Sequence, residues 1–221
     1  MMLIEKYYDD ILNISTCFEI EDDRFLNDRK MFFNYQPTSY YFLEKLFSLF
    51  PLDNQDHIVD FGCGKGRILF MAAYNSCKCV TGYEINEERY NITIKNIENY
   101  QSKHGKNVTF NVYKKDAQYE KINESTNKFF FFNPFDLKVY MKVINNIITS
   151  LKNNERNIDI YLYRPHESTV KYIDSINIFH KEVYVGHLFM LGDSQKVDMP
   201  QFVIYSNYNM EHSLNEYSIT L

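Results

Sequence analysis

The sequence predicts an α/β protein built on a doubly wound, mostly parallel sheet that ends in an antiparallel strand pair. Three observations carry that expectation. Apolar strand segments alternate with helical apolar stripes from Tyr40 to Ile176. A strand, a glycine turn and a helix N-terminus follow one another through HIVDFGCGKGR, His57 to Arg67. Two alternating segments, Phe179–Val185 and Phe202–Tyr208, then close the chain's pattern as a long hairpin.

Taken in order, residues 1–36 read as a polar, acidic helical extension or lid, and residues 37–221 as the main domain. Pro37-Thr38-Ser39 supplies a turn and a helix N-cap. Tyr40 to Phe50 carries an apolar stripe that Pro51 closes. Strand segments are expected at His57–Asp60, Lys78–Tyr83, Val108–Tyr113, Lys128–Phe132 and Ile158–Tyr163. The almost wholly apolar Lys128–Phe132 suits a central strand covered on both faces. Helices are expected at Arg67–Tyr74, at Glu87 to about Tyr100 with Tyr90, Ile94 and Ile97 on one face, at Val139–Leu151, and at Glu167–Ile176. Gly186–Pro200 reads as the loop of the closing hairpin, in part extended.

The glycine turn carries the chemistry. Gly62, Gly64 and Gly66 sit at alternate positions, and Asp60 stands two residues before the first. Without a Cβ such a turn lets a ligand approach the backbone closely. Cys63, inside it, meets the need for a small side chain. A second strand ends eighteen residues after Gly66 in Glu84. An acid there can accept hydrogen bonds from both hydroxyls of a ribose, with Tyr83 and Ile85 placed to touch an adenine. Dinucleotide sites favour G-x-G-x-x-G, and the phosphate-cradling G-x-x-x-x-G-K-[ST] is missing. A carboxylate beside the turn suits an ammonium rather than a pyrophosphate. S-adenosylmethionine, with an amino acid, a sulfonium and a ribose but no phosphate, fits this pattern best.

VDFGCGKGRILF, TGYEIN and FFFFNPF resemble motifs of class I S-adenosylmethionine-dependent methyltransferases, over roughly Pro37 to Tyr205. The resemblance implies their seven-stranded Rossmann-like fold. It implies Asp60, Gly62, Cys63, Gly64, Gly66, Glu84 and Ile85 as cofactor-binding residues, with Asp116 on the adenine amino group and Ala117 beside the ring. It makes Asn133, Pro134 and Phe135 the turn that meets the methyl group, with Asn133 also at the cofactor. In amino-group methyltransferases the related pattern is Asn or Asp, two prolines, then an aromatic. There the amide oxygen and a proline carbonyl hold the target nitrogen. Here Phe135 replaces the second proline and Asp136 follows. Asn133 remains an orienting acceptor and Phe135 a pocket wall; a strand-ending turn with a buried Phe is the structural alternative. Pro37, Thr38 and Tyr40 lie where such enzymes often place a lid over the cofactor; Tyr35 and Tyr40 read as aromatic walls, with core packing of the entry helix the alternative for Tyr40. Arg164-Pro165-His166 ends the fifth strand segment, and His166 reads as a solvated loop residue.

Composition bounds the function. With 221 residues the chain can bury a full core. A formal net charge of −5 gives no basic field, so strong nonspecific nucleic-acid binding is not expected. The four cysteines lack zinc spacing, so no metal is expected. No apolar run reaches membrane-spanning length and no signal sequence opens the chain, so a cytoplasmic protein is expected. The expected activity is methyl transfer to a nucleophile, a nitrogen of a protein, an RNA or a small molecule. A non-catalytic cofactor-binding or interaction module is the alternative.

Overall fold

The computed structural model describes residues 2–17, 35–189 and 196–208. Two compact units divide the chain at Ala117/Gln118. In the first, helix α1 (Met2–Leu12) and α2 (Tyr40–Leu49) precede strand β1 (His57–Phe61), α3 (Arg67–Tyr74), β2 (Cys79–Tyr83), α4 (Glu87–His104) and β3 (Thr109–Tyr113). β2 pairs in parallel with β1 on one side and β3 on the other. β1 is buried at all five positions, and α3 buries every residue from Arg67 to Ala73. The glycine turn lies between these two buried elements.

The second unit holds β4 (Lys128–Phe131), α5 (Leu137–Asn153), β5 (Asp159–Tyr163), α6 (Glu167–Asp174), β6 (His180–Phe189) and β7 (Lys196–Ser206). β4 and β5 run parallel, β7 pairs antiparallel with β5, and β6 pairs antiparallel with β7. Phe129, Phe130, Phe131, Ile160, Tyr161 and Leu162 are wholly buried, as central strands require. At the base of β5, Asp159 is buried and takes Lys128 at 2.6 Å, with Ser206 and Tyr208 donating to it. Among the described residues no helix is long and apolar enough to cross a membrane.

Several predicted elements move for physical reasons. Ser39 stands at the N-cap of α2 but makes no side-chain cap bond, because its hydroxyl donates to Glu5 Oε1 on α1 at 2.8 Å. α4 runs on to His104, since Lys103, His104 and the Asn99 carbonyl all bond to the end of α1 and the turn after it. Its buried face is Thr93, Asn96 and Tyr100, whereas Tyr90, Ile94 and Ile97 are half-buried. α5 begins at Leu137 because Asp136 caps it, accepting from the Val139 N–H at 3.0 Å. Much of the predicted Gly186–Pro200 loop is strand, paired from Gly186↔Met199 to Phe189↔Lys196. Half of the 1–36 extension, Met1 and residues 18–34, lies outside the described residues.

Candidate cofactor cradle and substrate turn

The first unit gathers most of the predicted cofactor residues at the C-terminal ends of β1 and β2. The Gly62 and Cys63 N–H groups both donate to the Tyr83 carbonyl, at 2.8 and 3.0 Å, so the turn is pinned to β2. Gly64 and Gly66 have φ of +56° and +87°, conformations that favour glycine. A Cβ on Gly64 would lie 2.6 Å from the Tyr35 ring, and one on Gly66 2.9 Å from Thr93 Cγ2. Tyr35 therefore packs directly on the turn, its hydroxyl donating to the Thr16 carbonyl at 2.7 Å.

Glu84 links the turn to β2. Its Oε2 accepts from the Gly64 N–H at 2.9 Å and its Oε1 from the Asn86 N–H at 2.8 Å. Asn86 caps α4 by accepting from the Arg89 N–H at 2.9 Å. Each Glu84 oxygen keeps acceptor capacity, because a carboxylate oxygen takes two donors.

Asp60 is the outlier. It is 4% exposed, and among the described residues no hydrogen-bond donor reaches its carboxylate. Burial, and then the negative charge of Glu84, push its pKa well above the usual carboxylate range. The same burial, with Asp60 and Glu84 nearby, pushes the Cys63 thiol well up. Two buried carboxylates so close together, one of them without a donor, are poorly compensated by the protein alone. A ligand carrying positive charge compensates them, and the amino and sulfonium groups of S-adenosylmethionine supply it. The residues present fit that cofactor. Of the remaining candidates in this unit, Ala117 is buried, Asp116 half-buried and Ile85 52% exposed.

Residues not singled out from the sequence hold this cradle. Thr93 Oγ1 donates to the Gly64 carbonyl at 2.7 Å, and Asn96 Nδ2 to the Lys65 carbonyl at 3.0 Å. No sequence signal marked them, because two polar residues three apart on a helix read as solvated positions. Arg67, 3% exposed at the start of α3, donates to Glu5, to Thr16 Oγ1 at 2.8 Å and to the Thr38 carbonyl at 2.9 Å. Its guanidinium lies 4.1 Å from the Tyr40 ring centroid, and Tyr40 donates to Asp9 at 2.6 Å. α1 is thereby wired to the first residue after the turn. Gly82, paired with Asp60 across β1 and β2, leaves the space that Cys63 and Leu69 fill.

Asn133, Pro134 and Phe135 belong to the second unit, between β4 and α5. Asn133 has φ of +40°, and its Nδ2 donates to the Arg164 carbonyl, itself on a residue with φ of +47°. Asn133 Oδ1 is buried with no hydrogen-bond partner. Phe135 packs edge-on against Tyr140 at 5.7 Å, and Phe132 against Tyr163 at 4.6 Å. His166 is exposed and stands at the N-cap of α6 without a side-chain cap bond. Among the described residues no cluster of three or more His, Cys, Asp or Glu could hold a metal.

Comparison with known proteins places this geometry. The family described as histone methylation protein DOT1 matches residues 20–190. A protein-lysine N-methyltransferase of Saccharolobus islandicus is 35% identical over 65 residues, 29% of this chain; the match spans 40% of that relative's length. Two solved structures share the fold at low identity. Precorrin-6y C5,15-methyltransferase of Geobacter metallireducens has a TM-score of 0.55 at 16% identity, covering 85% of this chain and 94% of that one. An RNA methyltransferase of Salinibacter ruber, in complex with S-adenosyl-L-homocysteine, has a TM-score of 0.51 at 14% identity, covering 77% and 92%. The pinned glycine turn, the acid ending β2 and the closing antiparallel pair are thus parts of a Rossmann-like methyltransferase fold, and the chain belongs to the DOT1 histone-methylation family of S-adenosylmethionine-dependent methyltransferases.

Proposed function

We propose that this protein methylates the side-chain amine of lysine in a protein acceptor, using S-adenosylmethionine held by the β1–α3 turn. The single observation that carries the cofactor half is the buried, donor-free Asp60 carboxylate beside Glu84 at the glycine turn. Asp60 balances the methionine ammonium. Glu84 takes the ribose hydroxyls, Gly62, Cys63, Gly64 and Gly66 shape the floor, and Ile85, Asp116 and Ala117 enclose the adenine. The proposed catalytic domain is the one assigned from the sequence to residues 37–221.

The lysine half draws on the family and on the substrate turn. The DOT1 description is of histone methylation, and the Saccharolobus relative acts on protein lysine. Asn133 Oδ1, buried and unpartnered, is an acceptor for an N–H of the incoming amine. When bound, S-adenosylmethionine would supply an electrophilic methyl carbon on a cationic sulfur, the sulfur keeping the C–S electron pair as leaving group when the amine lone pair is methylated. Asn133 orients the lone pair, and the rings of Phe132 and Phe135 provide apolar surroundings that favour the neutral amine. The amine's proton passes to water. A formal charge of −5 complements a basic protein acceptor and disfavours nonspecific nucleic-acid binding. Free cysteines suit a cytoplasmic setting.

The test is transfer of tritiated methyl from S-adenosylmethionine into a cell extract, followed by protease, nuclease and acid hydrolysis. Label that is protease-sensitive and recovered as methyl-lysine is expected. Nuclease-sensitive label would make the acceptor RNA. Tight cofactor binding with no label in any fraction would favour a non-catalytic binding module.

A further inference from the structure

We propose that Arg164 and Gln201 are positioning residues that fix which end of the Asn133 amide meets the acceptor. This rests on the reading of Asn133 as the group that orients the amine. An Asn side chain presents a donor end and an acceptor end of nearly equal shape, and only the acceptor end can hold an amine N–H. A carbonyl can pair only with the NH2 end. The bond from Asn133 Nδ2 to the Arg164 carbonyl therefore turns Oδ1 the other way, where it is buried and unpartnered.

That carbonyl is held in place by unusual means. Arg164 has φ of +47°, which a non-glycine residue adopts at a cost. Gln201, wholly buried on β7, grips it twice: its carbonyl accepts from the Arg164 N–H at 2.9 Å, and its Oε1 accepts from Arg164 Nε at 3.1 Å. The side-chain bond secures the residue whose backbone is strained, and the strained backbone aims the carbonyl at Asn133. β7 thus sets the orientation of a catalytic amide two strands away, by way of β5. Asn133 is itself left-handed, so its turn has little freedom to compensate.

The experiment compares Asn133→Ala, Arg164→Val, Arg164→Gly, Gln201→Leu and Gln201→Glu in the full chain. Labelled S-adenosylmethionine and extract protein serve as probes, and calorimetry measures S-adenosylhomocysteine affinity. Valine resists positive φ, so Arg164→Val should cut the maximal rate about tenfold or more, by displacing a positioned group, with cofactor affinity unchanged. Arg164→Gly keeps the backbone conformation and should lose less. Gln201→Leu should fall in the same direction, whereas Gln201→Glu, still an acceptor for Arg164 Nε, should be close to wild type. Combined with Asn133→Ala, neither slow variant should slow the reaction further. The Asn133 side-chain NH2 signal, assigned by its loss in Asn133→Ala, should exchange faster with solvent in Arg164→Val.

Wild-type rates in Arg164→Val and Gln201→Leu, with Asn133→Ala slow, would overturn this inference and leave the lysine reading intact. Losses that multiply with Asn133→Ala would also overturn it. A wild-type rate in Asn133→Ala would instead remove the assigned role of Asn133, and this inference with it. Should Arg164→Val fail to fold, the Gln201→Leu and Gln201→Glu pair decides.

Discussion

The β1–α3 turn and the β4–α5 turn each end a buried strand and each carry backbone in the left-handed region, yet they are held very differently. Around Gly64 the chain supplies the Tyr83 carbonyl, Glu84, Thr93, Asn96 and the Tyr35 ring, drawn from several elements. Around Asn133 it supplies the Arg164 carbonyl and leaves the amide oxygen empty-handed. A cradle for a cofactor of constant shape gains from being built in advance, because ordering is then settled on folding rather than on binding. A group that orients a reacting nitrogen must keep its acceptor unspent until the substrate arrives. In the proposed mechanism the first turn serves affinity and the second serves rate.

Substitutions can break that contrast. Gly64→Ala should have the largest effect, since its methyl meets Tyr35 at 2.6 Å and φ is +56°. Cofactor affinity measured by calorimetry should fall by about 100-fold or more, as expected of a strained backbone combined with a steric clash. The double change with Tyr35→Ala should recover part of it, and no recovery would show that backbone strain alone is responsible. Asn133→Ala should next lower turnover by about 100-fold, the usual scale for one preorganised polar group, with cofactor affinity unchanged.

Glu5→Gln probes how far the cradle depends on α1. Removing one charge from the Glu5–Arg67 pair, with Arg67 3% exposed, should cost about 3 kcal/mol of stability, seen as a lower melting temperature. An unchanged melting temperature would mean that α1 is not part of the cradle's support. Thr93→Val leaves the Gly64 carbonyl without its hydroxyl donor, at a cost of about 1–3 kcal/mol. A several-fold loss of cofactor affinity should accompany it.

The smallest effect sharpens the electrostatic side. Asp60 has a folded-state pKa raised by burial and by Glu84, so its contribution to stability is present below the unfolded carboxyl pKa and is lost as pH rises through the raised folded value. The cofactor-free protein should thus lose stability as pH climbs through that window. Asp60→Asn should flatten the slope, raise cofactor-free stability at neutral pH and weaken S-adenosylmethionine binding. A steep slope that persists in Asp60→Asn would assign it to another group.

The unequal construction of the two turns also explains what was legible in the sequence. The strand, turn and helix through His57–Arg67 are local, so glycine spacing and apolar runs reveal them, and Glu84 is legible because it ends the next strand. The staples are not local. Thr93 and Asn96 look like ordinary polar positions on a helix whose apolar residues, Tyr90, Ile94 and Ile97, suggest a different buried face. Glu5, Thr16 and Arg67 are joined across as many as 62 positions. The bond from Arg164 Nε to Gln201 Oε1 spans 37 residues and depends on the hairpin register, which no periodicity reveals. The hairpin's length was underestimated for a related reason: Gly186 and Pro200 signal a loop by local propensity, whereas cross-strand pairing carries both into the ladder.

The contrast between the turns is tested most directly by measuring two quantities on two variants. S-adenosylmethionine affinity and the maximal methyl-transfer rate would be determined for Glu84→Ala and Asn133→Ala beside the wild type. A crossed result is predicted, with Glu84→Ala losing affinity but turning over once saturated, and Asn133→Ala binding normally but turning over slowly. Loss of the same quantity in both variants would contradict the division of cofactor binding and chemistry between the two turns.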